Sequence, residues 1–174
     1  MLGIRSAQRG MLEADHMYLD HVGRHTFYGF LASMRGRLFG DEEFGELYCR
    51  DNGRNSVPPS LLATALLLQA HDRVSDEEAK QRADFDVRWK VALGIAVEDR
   101  PFAKSTLQLF RAQLIIHDRV RAIFERSLRY ARETGYLKGR KMKVEARGKA
   151  AVRRARACRD TPRSAREWAP PYPD

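Results

Sequence analysis

Residues 56–93 read SVPPSLLATALLLQAHDRVSDEEAKQRADFDVRWKVAL, and the pattern of this stretch predicts three short helices. Pro58 and Pro59 restrict the backbone just before an apolar run, at a position where a missing N–H group costs little. Leucine and alanine then cover a wide arc at helical spacing, which is typical of a helix in the centre of a core. The first part of the stretch therefore predicts a buried helix that begins near Pro59.

Two more short helices follow in the same stretch. Ser75 and Glu78 have the spacing of a capping box, which predicts a helix start. Asp84 has the residue type of an N-cap, so it predicts the start of a third helix. Large apolar side chains recur there at four-residue spacing and are expected on one inner face: Phe85, Trp89 and Leu93. Short helices with tight connections predict a compact domain of helix-turn-helix type.

Helical periodicity continues on both sides of this stretch. Upstream, the apolar positions of one further helix are Phe27, Phe30, Leu31, Met34 and Leu38. Downstream, Ser105 or Thr106 is expected to cap one helix and Asp118 another. Gly94 and Gly135 are expected to end helices, because glycine adopts the left-handed conformation that follows a helix end. The whole pattern predicts an all-α fold made of several packed helices.

Several motifs occur in a fixed order along the chain: Gly53-Arg54, Ser56-Val57-Pro58-Pro59, Leu66–Gln69, Ser75-Asp76, Arg88-Trp89-Lys90, Pro101–Leu107 and Phe110-Arg111. Over roughly residues 10 to 144 the chain thereby resembles the N-terminal domain of InsH-type bacterial insertion-sequence transposases. The resemblance implies DNA binding or transposase assembly in a bacterial cytoplasm, with the double-stranded DNA of transposon ends as partner and a homo-oligomer as a further option. In that family a catalytic domain follows, with an RNase-H-like fold and Asp, Asp and Glu metal ligands.

Positive charge is concentrated at the C-terminal end. Of the net charge of +9, residues 138–174 carry +8, with twelve Lys or Arg and four acids. These residues lack apolar periodicity and hold four prolines, so we expect a disordered basic tail. The sequence thus predicts an N-terminal arm (1–23), a helical domain (24–137) and a tail (138–174). Candidate phosphate contacts in the tail are Lys141, Lys143, Arg153 and Arg154.

The resemblance ends at Val144. The family continues into a hydrophobic strand with the first catalytic aspartate, whereas here Glu145-Ala146-Arg147-Gly148-Lys149 follows. Arg, Ala, Pro and Gly have GC-rich codons, so we interpret the change as a frameshift and the chain as a fragment without the catalytic domain. We accordingly expect no enzyme activity, no cofactor and no metal site, because two-metal chemistry needs carboxylates on a rigid scaffold.

His21 and His25 have the spacing of a helical metal pair, but the sequence places no third ligand beside them.

The candidate DNA contacts in the helical part are Arg54, Lys104, Gln108 and Arg111. Arg54 lies on a turn before a helix, where an anion is favoured, although a solvated arginine explains it equally well. The other three lie on one helix and are of the types that contact bases and phosphates, although a polar outer face is common to soluble helices.

The alternative function is a protein–protein interaction module that self-associates through Leu61–Leu68 and Val120–Leu128. No apolar run approaches the roughly 18 residues that cross a bilayer.

Overall fold

The computed structural model describes residues 1–5, 13–48 and 55–137. Within these ranges the chain forms seven α-helices and one 3₁₀ helix, and it forms no β-strand. The helices are α1 (Ala14–Val22), α2 (Phe27–Leu38), the 3₁₀ helix (Asp41–Leu47), α3 (Pro59–Asp72), α4 (Asp76–Phe85), α5 (Val87–Leu93), α6 (Lys104–Ile116) and α7 (Val120–Glu133). The predicted all-α fold is confirmed for this part of the chain.

Helices α3 and α5 form the centre of the core. Leu62 and Leu68 of α3 and Trp89 and Leu93 of α5 have at most 1% of their surface exposed. α5 contacts α1, α2, α3 and α4, so it lies within a ring of other helices. The apolar arc that the sequence indicates for α3 is therefore buried by packing on several sides, as expected for a helix of this composition.

Local signals place several helix ends correctly. α3 begins at Pro59, and α4 begins after Ser75, whose hydroxyl accepts a hydrogen bond from the Glu78 backbone N–H group. α5 ends at Gly94, which has a φ of 60°, and Gly135 follows the end of α7 with a φ of 75°. Because glycine reaches positive φ without a steric penalty, both stops follow directly from sequence.

The start of α5 corrects one prediction. Asp84 is not an N-cap, because it lies inside α4 and is ion-paired with Lys80. The cap of α5 is Asp86, whose carboxylate accepts a hydrogen bond of 2.9 Å from the Arg88 backbone N–H group. Phe85 consequently belongs to the last turn of α4 and is 70% exposed, so it does not share the inner face of Trp89. The four-residue periodicity fails here because the backbone turns at Asp86.

Two further caps also differ from the predictions. α6 begins at Lys104 after Ala103, without a side-chain cap, so Ser105 and Thr106 lie inside the helix. The N-cap residue of α7 is Arg119 and not Asp118. Asp118 is the residue before this cap, and its φ is 53°. Asp118 therefore forms the turn between α6 and α7, a backbone conformation that Asp tolerates better than most residues.

Helix α1 packs onto the same body as the central helices. Its Ala14 is fully buried in a small cluster with Ala32 and Val91, and the Ala14 backbone N–H group donates to the Ile95 carbonyl at 2.9 Å. Residues Met1–Lys138 form one compact unit. The division into an arm, a helical domain and a tail stays a prediction, and the tail lies outside the described residues.

Candidate nucleic-acid interface

Three of the candidate DNA contacts lie together on one flank of α6. Lys104, Gln108 and Arg111 follow one another at helical spacing, and this flank faces the beginning of α4. The Arg111 guanidinium donates hydrogen bonds of 2.6 Å to both Asp76 and Gln69. The sequence prediction that these residues share a surface agrees with their positions, but that surface is already in contact with another helix.

The other two side chains bind the same acidic helix start. The Gln108 amide donates to Asp76 at 3.0 Å, and the Lys104 ammonium group lies 2.9 Å from Glu77. Hydrogen bonds from Arg111 and Gln69 hold the pKa of Asp76 well below its ordinary value of 3.8. Both cations of the flank are thus compensated by carboxylates, which weakens the attraction that this surface would exert on phosphate.

The face of α6 that points away from the core carries no charge. Its residues are Ser105, Leu109, Ala112 and Ile116, all of them exposed. Leu109 is 63% exposed and Ile116 is 70% exposed. The sequence interpretation assigned Lys104, Gln108 and Arg111 to the open side of this helix and missed the uncharged row. Its spacing of i, i+4, i+7 and i+11 is the signal that indicates one face.

Helix α7 presents arginines in two different roles. Arg119 binds Glu46 at 2.6 Å, and Arg126 binds Glu43, so both anchor α7 to the 3₁₀ helix. The other arginines of α7 are Arg121, Arg129 and Arg132, which are all exposed and which we call the outer arginine face.

The outer arginine face is only weakly compensated. Arg121 pairs with Glu125 of the same helix, but this pair is highly exposed, at 81% and 59%, and such pairs contribute little stability. The side chains of Arg129 and Arg132 are exposed and have no hydrogen-bond or ion-pair partner among residues 1–5, 13–48 and 55–137. The other arginines of α7 must release a carboxylate before they bind an anion, whereas Arg129 and Arg132 have no such partner to release within those ranges.

The remaining candidates lie outside the described residues. Arg54 falls in the gap between residues 48 and 55, and the tail candidates Lys141, Lys143, Arg153 and Arg154 lie beyond residue 137. Their predicted phosphate contacts therefore stay predictions.

One group of potential metal ligands occurs in the described ranges. Oxygen or nitrogen atoms of Glu13, Asp15 and His16 lie within 4.8 Å of one another. The Arg35 guanidinium, however, lies 2.6 Å from the Asp15 carboxylate and 3.9 Å from Glu13. Because a fixed cation already compensates these acids, the cluster is better explained as part of the packing of α1 on α2 than as a metal centre.

The histidine pair suggested by spacing does not share one helix. α1 ends at Val22, so His21 lies in its last turn and His25 in the following turn. Both are exposed. The geometry that makes an i, i+4 pair a metal site is therefore missing.

Comparison with protein families identifies the chain. The family described as transposase domain (DUF772) matches residues 18–113, which extend from α1 into α6. The chain belongs to this transposase domain family. The match confirms the resemblance to the N-terminal region of insertion-sequence transposases, while it leaves the InsH-type assignment a prediction. No curated protein and no solved structure matches the chain.

The DUF772 match covers more than half of the chain and includes both α5 and the α4–α6 contact. It ends before α7, so the outer arginine face lies beyond the matched region. Among the described residues, no helix is long and apolar enough to cross a membrane.

Proposed function

We propose that this transposase domain binds double-stranded DNA and takes part in assembling an InsH-type transposase on it, in the bacterial cytoplasm. The observation that carries the proposal is the outer arginine face of α7, with Arg129 and Arg132 unpaired among the described residues. Arg121 to Arg132 span about 16 Å along the helix at 1.5 Å per residue. Because a DNA duplex carries about one charge per 1.7 Å of its axis, several phosphates come within reach of this length.

The outer arginine face is held on a firm support. Arg119 and Arg126 fix one side of α7 to the 3₁₀ helix, while Ile123 and Ala131 are buried in the core. A guanidinium group on a fixed helix loses less freedom on binding than one on a flexible segment, and its planar donor fork matches phosphate oxygens. These features support phosphate contacts, which position a protein on DNA without reading its sequence.

The α6 flank is the second candidate surface. For Lys104, Gln108 and Arg111 to contact DNA, the phosphates must replace Asp76 and Glu77 as partners. Gln108 is exposed and has the residue type that reads adenine, so we propose base contacts for it after its amide has given up Asp76. Arg54, Lys141, Lys143, Arg153 and Arg154 stay proposed phosphate contacts from the sequence. We assign the domain no part in strand cleavage.

A salt titration tests the proposal. The affinity of the full chain for a duplex is measured by fluorescence anisotropy over a series of salt concentrations. For the double variant Arg129→Gln/Arg132→Gln we expect the slope of log K against log salt to become shallower by about 2, because each lost phosphate contact removes about 0.9. The control is Arg24→Gln/Arg100→Gln, which has the same change of charge at two exposed positions away from α7. Equal slopes for variant and control would show that α7 does not contact DNA.

A second variant separates the tail from the folded domain. Replacing Lys141, Lys143, Arg153 and Arg154 by Gln in the full chain reduces the slope further if these residues contact phosphate. A full loss of binding in this variant, with none in the α7 variant, would assign DNA binding to the tail alone. Unchanged binding in both variants would favour the alternative function of a protein–protein interaction module.

One version of that alternative does not fit the fold. The apolar residues of Leu61–Leu68 are mostly buried inside the domain, so they are not available for self-association. The interaction-module alternative is instead favoured by the uncharged outer face of α6, with Leu109 and Ile116 exposed.

A further inference from the structure

We propose that His71, near the end of α3, is a further phosphate contact of this domain and binds phosphate only in its protonated form. DNA binding should accordingly strengthen as the pH falls through the range in which histidine titrates. The inference rests on the proposed DNA binding and adds a residue that regulates it. It is carried by the position of the imidazole ring, by the partner of its Nδ1 atom and by the exposure of its other nitrogen.

A row of aromatic rings connects His71 to the end of α7. The His71 ring stacks on Phe27 with 4.1 Å between the ring centroids, and the Phe27 ring centroid lies 6.4 Å from that of Tyr136. A backbone hydrogen bond of 3.0 Å joins the segment of Tyr136 to the last turn of α7, which carries Arg132. His71 therefore lies at the same end of the domain as one of the two α7 arginines proposed to contact phosphate.

The tautomer of His71 follows from the chemistry of its partner. The Nδ1 atom lies 2.8 Å from the Asp72 carboxylate. Burial raises the pKa of Asp72, but hydrogen bonds outweigh burial and lower it to about 2, so this carboxylate is ionised and only accepts hydrogen bonds. Nδ1 must therefore carry the hydrogen atom, and Nε2 of the neutral ring has only a lone pair. A lone pair cannot donate a hydrogen bond to a phosphate oxygen.

Protonation changes what His71 presents to solvent. The side chain is 44% exposed, and its Nε2 atom has no hydrogen-bond partner within residues 1–5, 13–48 and 55–137. A proton added at Nε2 leaves the bond from Nδ1 to Asp72 intact and creates an N–H donor with a positive charge, which is the combination that binds phosphate strongly. The stack on Phe27 and the bond to Asp72 fix the ring, so little freedom is lost on binding.

The charged groups connected to His71 balance one another. Arg82 of α4 pairs with Asp72 and Glu78, and Arg88 of α5 pairs with Asp86. Together with the exposed Arg73 after α3, the groups from these elements are three acids and three arginines: Asp72, Glu78, Asp86, Arg73, Arg82 and Arg88. α2 and the segment after α7 contribute rings to this surface: Phe27, Tyr28 and Tyr136. Protonation of His71 consequently changes a balanced local charge into a positive one.

Nitrogen NMR of the full chain tests the tautomer without DNA. A long-range ¹H–¹⁵N correlation spectrum at about pH 8 should show the neutral His71 ring with its hydrogen atom on Nδ1. The signal is assigned by its absence from the spectrum of His71→Gln. A ring with its hydrogen atom on Nε2 would overturn the inference and leave the proposed DNA binding untouched.

DNA binding at two pH values tests the contact itself. The affinity of the full chain for a duplex is measured by fluorescence anisotropy at about pH 6 and about pH 8. At pH 6, His71→Gln should bind about two- to fivefold more weakly than the parent, with a slope of log K against log salt that is shallower by about 0.9. At pH 8 the two chains should bind equally. His71→Arg, which is charged at both pH values, should bind more tightly than the parent at pH 8.

His16→Gln is the matched control, because His16 is exposed on α1 and its loss removes one titrating ring. All variants should keep the helical circular dichroism of the parent. Equal effects of His16→Gln and His71→Gln would overturn the inference, because they would assign the pH dependence to histidine titration in general. A parent with the same affinity and salt slope at both pH values would overturn it while leaving DNA binding in place. A chain that binds the duplex at neither pH would overturn the proposed function as well.

Discussion

The indole N–H group of Trp89 donates a hydrogen bond of 2.9 Å to the carboxylate of Asp72. Asp72 is the last residue of α3, and only 4% of its side chain is exposed. Its remaining partners come from three different positions: Tyr28, His71 and Arg82. One carboxylate therefore connects the end of α3 to α2, α4 and α5. An acid is unfavourable at the C-terminal end of a helix, so these contacts must compensate for the helix dipole.

The first prediction concerns the pH dependence of this carboxylate. Burial by itself raises the pKa of Asp72, but the hydrogen bonds from its four partners outweigh burial and lower the pKa from 3.8 to about 2. Because the folded pKa is depressed, the stabilisation is fully present above pH 3.8 and is lost as the pH falls through 2. A shift of this size corresponds to about 2 kcal/mol of stability at neutral pH.

Chemical unfolding at several pH values checks this prediction. Asp72→Asn should lower the free energy of unfolding by about 2 kcal/mol at pH 7 and by much less at pH 2. The difference between the parent and the variant is the relevant quantity, because other carboxylates also titrate in this range. A difference that stays constant from pH 7 to pH 2 would contradict the depressed pKa.

The second prediction concerns a long-range helix cap. The Asp41 carboxylate accepts hydrogen bonds of 2.8 Å from the backbone N–H groups of Ser60, at the start of α3, and of Arg5. The residue that precedes α3 is Pro58, whose side chain supplies no cap. Asp41→Ala should therefore reduce the free energy of unfolding by about 1–3 kcal/mol, measured by urea unfolding. Asp20→Ala is the control, because Asp20 is 85% exposed and should change stability by less than about 0.5 kcal/mol.

The third prediction concerns the glycine that ends α5. Gly94 has a φ of 60°, and a Cβ atom at this position would overlap the guanidinium group of Arg35. Arg35 cannot easily move away, since it is bound to Asp15 at 2.6 Å. Gly94→Ala should thus lower the free energy of unfolding by about 2 kcal/mol or more.

Gly36 supplies the matched control for this substitution. It lies inside α2, and a Cβ atom there would meet nothing within 4 Å. Gly36→Ala should increase stability by about 0.5–1 kcal/mol, because alanine loses less conformational freedom in a helix. Thermal unfolding of both variants checks the pair, and a similar effect at both positions would exclude a steric role for Arg35.

The fourth prediction separates the two candidate DNA surfaces. Asp76→Asn weakens the contact of Arg111 with α4 and should lower the free energy of unfolding by about 1–2 kcal/mol. If α7 carries the phosphate contacts, DNA affinity at about 0.1 M salt should rise by no more than about twofold, since only one distant charge has changed. A tenfold rise would instead assign DNA binding to the flank of Lys104 and Arg111.

Local sequence signals were sufficient for the helices from α2 onwards and for many of their ends, but they did not indicate α1. The proline pair before α3, the Ser75 cap of α4 and the stop at Gly94 each act within about four residues, so they need no knowledge of the fold. Where two acids compete for the same cap, as Asp84 and Asp86 do, the local signal was ambiguous. The site residues were harder to predict, because helical spacing alone does not show which side of α6 faces another helix.

Sequence patterns were enough to identify an all-α domain and its family, and they supplied candidate residues for DNA contact. Tertiary structure alone decided which of those residues are already engaged. Arg111 meets Asp76 across 35 residues of sequence, and Trp89 meets Asp72 across 17. Such partners are chosen by how helices pack, since a charged side chain near the core must find an opposite charge or remain uncompensated at a high cost in free energy. That packing neutralises the α6 flank and leaves the α7 arginines exposed.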